Sequence, residues 1–451
     1  MKNKFLIFVM VLSSLTLHAQ QDTVVLNVSQ CRDMALERNR NIQHGDNAIR
    51  QAELSSKAAF TNFFPQLEGS AIGAYIQDQN LVNMPNMMEM VLLLRGMYLC
   101  GFQLTQPLYA GGKIVNGYKL SKLGVEVAEE QQRQIRAQSI ADVETAYWSY
   151  VAVLSKVDML NEYKSQLDTL NMLVETNIAV GMAIDYDLLQ LQTEQSNINY
   201  QMKRVLNGAQ MCRMSLSRMV GIDPDSIVIV PAVMPDDVFY PIAETSFDIS
   251  NRPEMSLLEY QLKASELQVK MKRGEYLPTL GAALGYNWLG NIQMKGSFNI
   301  SQLGSIPLDP PMAGEIDNKI DKKIPMVMVS LSVPISKWWE GSYNIKKAKL
   351  EVDNSRLMLD ENAELMQLEV RNAINNVNDG CELVMSSKIA HDAATEQLRV
   401  VRNRYSVSMA PISDLLDAQS KWQQAESNYI EAQTQYLIYK IEYLRVTGQL
   451  D

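Results

Sequence analysis

The sequence predicts a mainly α-helical chain that also carries four β-strands and is built from two copies of one unit. Three patterns in the 451 residues lead to this fold class. Two long stretches match after a constant shift, apolar residues recur with a mean spacing of 3.5 in polar-rich segments, and other segments alternate apolar with polar residues. These patterns are typical of an internal repeat, of coiled-coil helices and of half-buried strands.

The N-terminus is predicted to be a secretory signal peptide that covers residues 1–19. Lys2 and Lys4 precede an apolar run from Phe5 to Leu17, and Ala19 is a small residue suited to cleavage. The run is too short to cross a bilayer as a helix of the mature protein. Cys31 lacks the preceding small-residue box of a lipoprotein. We therefore expect an exported and unlipidated mature chain.

The two repeats are predicted at residues 20–221 and 252–451, with a linker at residues 222–251. The following segments match after a shift of 227 positions: Leu104–Leu108 with Leu331–Ile335, Val180–Ala183 with Val407–Ala410, Asp187–Leu189 with Asp414–Leu416, and Val220–Gly221 with Thr447–Gly448. Near the start of each repeat, Phe64–Leu67 matches Leu277–Leu280 at a shift of only 213. We expect the fourteen additional residues to form a longer loop in the second repeat.

Each repeat is predicted to begin with a helix that a proline ends. In the first repeat this helix runs from Gln30 to Phe63 and stops at Pro65. Its counterpart begins at Arg252–Pro253 and stops at Pro278, because proline suits the first turn of a helix and disrupts its interior. After the helix, each repeat predicts two strands, a long helix, a tight turn and a last helix.

The strands are recognised by their period of two. Val327, Val329, Leu331, Val333 and Ile335 are apolar, and the residues between them as far as Ser332 are methionine or serine. The alternating segment from Leu280 to Trp288 ends in aromatic residues, as strands at a membrane interface often do. The weaker strands of the first repeat are predicted around Leu67–Tyr75 and Leu99–Leu108. Four strands cannot close a barrel, so closure would require several copies of the chain.

The long helices are recognised by heptads. Apolar or small residues step alternately by three and four positions in each repeat: Val143, Tyr147, Tyr150, Leu154 and Val157; Val370, Ile374, Val377, Cys381 and Val384; Met202, Val205, Ala209, Cys212, Leu216 and Met219; Tyr429, Ala432, Tyr436, Tyr439, Tyr443 and Val446. A helix from about Lys113 to about Ile178 would be roughly 100 Å long at about 1.5 Å per residue. Such a rod suits a tube better than a globular core.

Composition excludes several classes of protein. The net charge is −10 and the basic clusters are small, so we expect no nucleic-acid partner. The four cysteines form no CxxC pair and their spacing identifies no disulfide, although Cys212 and Cys381 lie on apolar stripes where buried thiols are expected. We find no catalytic triad, phosphate loop, dinucleotide fingerprint or metal motif. We therefore predict no enzyme, no cofactor and no bound metal.

These paired halves resemble the TolC family of outer-membrane efflux proteins. The resemblance covers nearly all of the mature chain and includes Pro107–Lys113, which closes the first pair of strands. It implies a homotrimer with a twelve-stranded barrel in the outer membrane, continued by a twelve-helix barrel in the periplasm. Four strands per protomer agree with that number. One departure is that Trp338–Trp339 stand where the first repeat has Gly111–Gly112.

The resemblance is most specific at Ala179–Asp187 and Tyr405–Gln419. It implies that Asp414 and Asp417 line a periplasmic aperture, and that Tyr405 and Asp187 tie neighbouring helices there. From the residues alone, the two aspartates share one face at a helix start, where carboxylates also interact favourably with the helix dipole. Six such carboxylates around a threefold axis would repel one another and favour a bound cation. Ala410 stands where the family has an arginine, so another residue, such as Arg404, would have to replace that link.

The two tight turns resemble the family tips that meet the hairpin of a periplasmic adaptor protein. Exposed valine and methionine would form an apolar contact there, although an ordinary turn without a partner also explains them. The candidate docking residues are Val180, Gly181, Met182, Val407, Ser408 and Met409. Serine in place of glycine makes the second turn less typical.

The resemblance predicts an outer-membrane exit duct that extends into the periplasm and conducts small molecules passively. Its partners would be two further copies of the chain, a periplasmic adaptor, an inner-membrane pump and outer-membrane lipid. Two alternatives remain open: a type I protein-secretion duct, and a secreted coiled-coil structural protein without a channel. A metal-specific duct is a third, because 26 methionines include Met84, Met87, Met88 and Met90 in one predicted extracellular loop.

Overall fold

The computed structural model describes residues 23–84, 87–181, 183–223, 227–231, 239–243, 248–303 and 306–450. The predicted signal peptide lies outside these residues. The chain divides into two compact units. The strand unit comprises Gln51–Glu126 and Tyr260–Arg356, and the helical unit comprises the remainder, so each unit draws on both predicted repeats.

The described part of the chain contains seven helices and six strands. The helices are α1 Val28–Arg38, α2 Arg40–Thr61, α3 Lys113–Ala179, α4 Asp185–Val220, α5 Pro253–Gly274, α6 Trp338–Ser406 and α7 Ile412–Val446. The strands are β1 Thr23–Val25, β2 Gln66–Met84, β3 Met88–Ala110, β4 Ile227–Ile229, β5 Thr279–Leu303 and β6 Ile306–Ser332. The predicted order of elements in each repeat is present, and the short strands β1 and β4 form an additional parallel pair.

The first predicted helix is interrupted, so its prediction as one element is wrong. Asn39 adopts an extended conformation (φ −65°, ψ 129°) between α1 and α2. Its side-chain oxygen accepts a hydrogen bond from the backbone N–H of Asn41 at 2.8 Å, as an asparagine that begins a helix commonly does. Asn39 thus caps α2 and replaces the continuous helix with a bend.

The strand unit holds one antiparallel sheet in the order β2-β3-β5-β6. The second hairpin is longer than the first: β5 and β6 contain 25 and 27 residues, against 19 and 23 in β2 and β3. The predicted longer loop is therefore wrong, because the additional residues mostly extend the strands. Pairing between β3 and β5 reaches Met88 and Phe298, and β5 continues to Leu303.

One face of this sheet is apolar and exposed. Val327, Val329 and Leu331 of β6 expose 78%, 67% and 67% of their surface. On the neighbouring strands, Phe102 and Tyr286 both contact Trp288, with ring centroids 6.1 and 4.8 Å apart. An exposed apolar band with an aromatic cluster is typical of a sheet surface that meets lipid.

The helical unit confirms the coiled-coil prediction. The heptad residues Val143, Val370 and Val377 have no exposed surface, and Tyr436 exposes 2%. Two of these stripes meet in one cluster that contains Val377, Cys381, Val384, Tyr436 and Tyr443. All four cysteines are free, and burial raises the pKa of the Cys31 thiol to about 11. Among the described residues, no helix is long and apolar enough to span a membrane.

Candidate functional site

The turn between α3 and α4 has the backbone geometry that its glycine permits. Gly181 has φ 75°, in the left-handed region, and its N–H donates to the carbonyl of Ile178 at 3.0 Å. Apart from its two chain neighbours, no atom of the described residues lies within 4 Å of the place that a side chain at Gly181 would occupy, so that place is open. The adjacent Val180 exposes 64% of its surface. Met182 lies outside the described residues.

The turn between α6 and α7 repeats this geometry without a glycine. Ser408 has φ 59°, its N–H donates to the Tyr405 carbonyl at 2.9 Å, and the Met409 N–H donates to the Arg404 carbonyl at 2.8 Å. These two bonds form a Schellman motif, which satisfies the last carbonyls of α6. Val407 and Met409 expose 59% and 71% of their surface. Both turns therefore present exposed apolar side chains beside a left-handed residue.

Tyr405 and Asp187 lie close enough to interact. Tyr405 occupies the last turn of α6 and packs, half-buried, against the apolar cluster of Leu398, Ile412 and Leu415. Its burial raises the pKa of the phenol, and the negative charge of Asp187 raises it further. Asp187 lies in the first turn of α4, where its carboxylate accepts a hydrogen bond from the Ile184 N–H at 3.2 Å. The structure therefore brings these two predicted gate residues together within one chain.

Asp414 and Asp417 lie on the exposed face of α7. Ile412, Leu415 and Ala418 are buried on the other side of this helix. Because Asp414 and Asp417 are three residues apart, they lie on the same side of the helix, and both face away from the core. The Asp417 carboxylate pairs with Lys421 at 2.7 Å. This lysine was overlooked in the sequence, although a lysine four residues after an aspartate on a helix is a recognisable partner.

A cavity of about 290 Å³ lies beside Tyr405 and is lined by α3, α6 and α7. Arg402 spans one side of it and donates to the Gln166 side chain at 2.7 Å. Arg402 therefore joins α6 to α3. Arg404, which the sequence suggested for a link at this end of the helices, has no side-chain partner among the described residues. Gln419 lines the same cavity with 2% of its surface exposed, and its side-chain oxygen has no partner among those residues. Sequence reasoning missed both Arg402 and Gln419.

The chemistry of this region is electrostatic. Exposed carboxylates, one of them paired with a lysine, attract cations, and the Tyr405 phenol lies in the field of the Asp187 carboxylate. The described residues contain no group of three or more histidine, cysteine, aspartate or glutamate side chains arranged to hold a metal ion.

Comparison with known protein families finds a match that covers most of the chain. The sequence profile described as outer membrane efflux protein matches residues 31–221 and 248–449. A search of curated proteins found no match to the chain.

Several solved structures share this fold at low sequence identity. A membrane protein from Pseudomonas aeruginosa has 18% identity and a TM-score of 0.72, with 93% of each chain covered. The CmeC outer membrane channel of Campylobacter jejuni has 17% identity and a TM-score of 0.70 over 94% of this chain and 85% of its own. The open-state MtrE outer membrane channel of Neisseria gonorrhoeae has 17% identity and a TM-score of 0.69 over 94% and 89%.

Proposed function

The chain belongs to the outer membrane efflux protein family, and we propose that three copies of it form the exit duct of a tripartite efflux system. Energy would come from an inner-membrane pump, and a periplasmic adaptor would join that pump to the duct. The duct itself conducts small molecules passively. It is a channel of the outer membrane that extends into the periplasm, not an enzyme.

The observation that carries this proposal is the open four-stranded sheet. Within the described residues, β2 and β6 each pair on one side only, so the sheet has two free edges. Free edges and an exposed apolar face are costly for a chain in water, and closure into a barrel removes the edges. Three copies supply twelve strands, which is an even number suited to an outer-membrane barrel. A secreted coiled-coil protein would leave the exposed Val327, Val329 and Leu331 unexplained.

The two helical turns and the aspartates of α7 supply the periplasmic functions. Val180, Gly181, Met182, Val407, Ser408 and Met409 would contact the adaptor. The exposed carboxylates of Asp414 and Asp417 would meet their copies around the threefold axis, and the pair of Tyr405 and Asp187 would hold the closed arrangement. Adaptor binding would favour the open arrangement by its greater affinity for that state.

The experiment that tests the duct is a measurement of the native assembly. The protein is extracted from outer membranes in mild detergent, its mass is measured, and the same sample is reconstituted in a planar bilayer. We expect a trimer that forms discrete ion-conducting channels. A stable, well-behaved monomer, or a trimer without conductance, would overturn the proposal. When the signal-cleaved chain is added to the bilayer without detergent, we expect no channels, because its free sheet edges and apolar face favour aggregation in water.

A further inference from the structure

One face of β6 changes from apolar to charged partway along the strand. Counting back from Leu331, the odd-numbered residues are apolar as far as Pro325 and then charged in succession: Lys323, Asp321, Lys319, Asp317 and Glu315. The even-numbered residues of the charged half include Ile320, Ile316 and Met312. We call the face that carries Val327, Val329 and Leu331 the valine face. Its charged half would lie in water beyond the lipid.

In the neighbouring strands β3 and β5, the side chains switch from one face of the sheet to the other at the same level. Asn291 of β5 has φ 61° and Gly96 of β3 has φ 71°, and both residues lie within shifts of register. The Asn291 N–H donates to the Asp321 carboxylate at 2.9 Å, and its side-chain amide donates to the Gly96 carbonyl at 3.0 Å. An additional residue in a strand moves every later side chain to the opposite face of the sheet.

The consequence is that methionines collect on the other face, which we call the methionine face. Before the shift, Leu284 of β5 pairs with Val327 of the valine face. After it, Phe298 of β5 pairs with Gly314, an even-numbered residue of β6. Met88, Met90 and Met294 therefore share one face with Met84, which pairs directly with Met88. The sequence had placed the first-repeat methionines of this group in a loop.

The register brings three of these thioethers, those of Met84, Met88 and Met90, close together. Met84 and Met88 are direct cross-strand partners, whose Cβ atoms are typically about 4.5–5.5 Å apart. Met90 follows on the same strand about 6.6 Å further along. Met294 lies opposite Leu92, about 13 Å along the sheet from Met88, and is too distant to share an ion with Met84 and Met88. Gly296 pairs with Met90 and carries no side chain, so it leaves space between the methionines. A methionine side chain has three rotatable bonds, which allow its sulfur to reach a shared ion.

We propose that Met84, Met88 and Met90 form a binding site for a soft monovalent cation, Cu(I) or Ag(I). Thioether sulfur is a soft ligand that favours such ions over Mg²⁺, Ca²⁺ or Zn²⁺. The nearby carboxylates of Glu89, Glu315 and Asp317 have odd numbers and lie on the opposite face, so they offer no oxygen ligands to a hard cation here. The Phe298 ring, opposite Met88 and packed over Gly314, adds an aromatic neighbour for a cation.

The location of this site within a channel rests on the proposed function. If the apolar half of the valine face meets lipid, the methionine face lines the interior, and three copies place three sites around the exit path. Binding of the cation itself depends only on the strand register. The two ideas can therefore fail separately.

The test is a titration of the purified trimer with silver ions in chloride-free buffer, with excess free methionine as a competitor that removes weak binding. Because free thiols also bind silver, the titration uses a background in which the four free cysteines are replaced by alanine, and we expect one tight ion per protomer there. The double variant Met88→Leu with Met90→Leu should bind silver at least tenfold more weakly, because leucine keeps the apolar volume and removes the sulfur. The matched control is Met172→Leu with Met211→Leu, which changes two exposed methionines of the helical unit and should leave the tight ion in place.

Assembly and conductance are measured on the same samples. A variant that is trimeric and conducts normally but has lost the tight ion supports the site. If the double variant does not assemble, Met84→Leu alone, at the exposed end of the cluster, replaces it with the same expectation. Equal silver binding in the cysteine-free protein and its methionine-face variants would show that these thioethers serve only as an apolar lining. Tight silver binding by a trimer that does not conduct would leave the site standing and overturn the duct.

Discussion

The two helical turns share a backbone but differ in what surrounds them. Gly181 and Ser408 occupy equivalent positions of the repeat, and both have left-handed φ angles. Yet Asp187 lies beside half-buried Tyr405, whereas its repeat mate Asp414 is exposed on α7. The comparison shows that the repeat preserved the shape of the turn while its carboxylates acquired different surroundings. The five predictions below test how far the two turns differ in function.

The largest effect is expected from a charge placed in the apolar contact at either turn. Val180→Asp or Met409→Asp should abolish efflux, because a buried unpaired carboxylate is strongly unfavourable in an interface. The measurement is the antibiotic tolerance of a strain that depends on this duct, at normal trimer abundance. Met172→Asp, on an equally exposed methionine of α3, should retain efflux. Normal tolerance in both turn variants would refute docking, and loss in only one would show that the adaptor uses one turn.

The next largest effect is expected from the loss of the two aspartates after the second turn, Asp414 and Asp417. Asp414→Asn with Asp417→Asn removes six negative charges from the trimer, and block of single-channel current by divalent or trivalent cations from the periplasmic side should weaken by tenfold or more. Each lost carboxylate forfeits on the order of 1 kcal/mol even in a partly watery site. Unchanged block would mean that these carboxylates act only at the start of their helix.

Asp187→Asn should instead leave this block nearly unchanged and increase the resting conductance, because it weakens the contact with Tyr405. Asp185→Asn, in the same turn of α4, provides the control and should alter neither quantity.

A smaller effect is expected from Lys421, which pairs with Asp417 at 2.7 Å. Lys421→Gln frees that carboxylate and should strengthen cation block by up to about fivefold, because exposed ion pairs contribute at most about 1 kcal/mol. Lys440→Gln changes a lysine of the same helix far from the turn and should not alter block. Weaker block in Lys421→Gln would show that the lysine itself holds the aspartates in position.

The smallest effect concerns the left-handed residues. Gly181→Ala should destabilise its turn by about 1 kcal/mol, because a Cβ is unfavourable at this φ. The exchange of the Gly181 amide with solvent deuterium should then be roughly fivefold faster. Ser408→Gly should change amide exchange little, since the relief of strain is offset by the greater freedom of glycine in the unfolded chain. A large loss of protection in Ser408→Gly would indicate that the serine side chain stabilises the second turn.

Periodicity predicted the helical part of the fold well. The heptad residues Val370, Ile374 and Val377 are buried because a spacing of 3.5 persists over many turns and leaves one face to bury. The interruption at Asn39 was missed because one asparagine in a polar helix resembles a surface residue. The ends of the long strands were missed because Lys319–Lys323 lack the apolar alternation that marks a half-buried strand.

The sequence predicted those features of the candidate site that depend on residue spacing along a single helix. The exposed face shared by Asp414 and Asp417 follows from their spacing, and the partner Lys421 could have been found in the same way. The cavity beside Tyr405 could not, because Gln166, Arg402 and Gln419 come from three helices whose contacts depend on tertiary packing. The methionine face was also hidden, since it depends on the shift of register at Asn291 rather than on any local pattern.

The unequal hairpins have a consequence for the surface that a cell would present to its surroundings. The strand β5 extends five residues past its last pair with β3, from Phe298 to Leu303, which is a rise of about 16 Å at about 3.3 Å per residue. Three copies in a ring would produce an outer rim on which three tall hairpins alternate with three short ones. Antibodies and bacteriophages approaching such a cell would meet the tall hairpins first, so immune and viral selection would act most strongly on a segment remote from the helical turns in sequence.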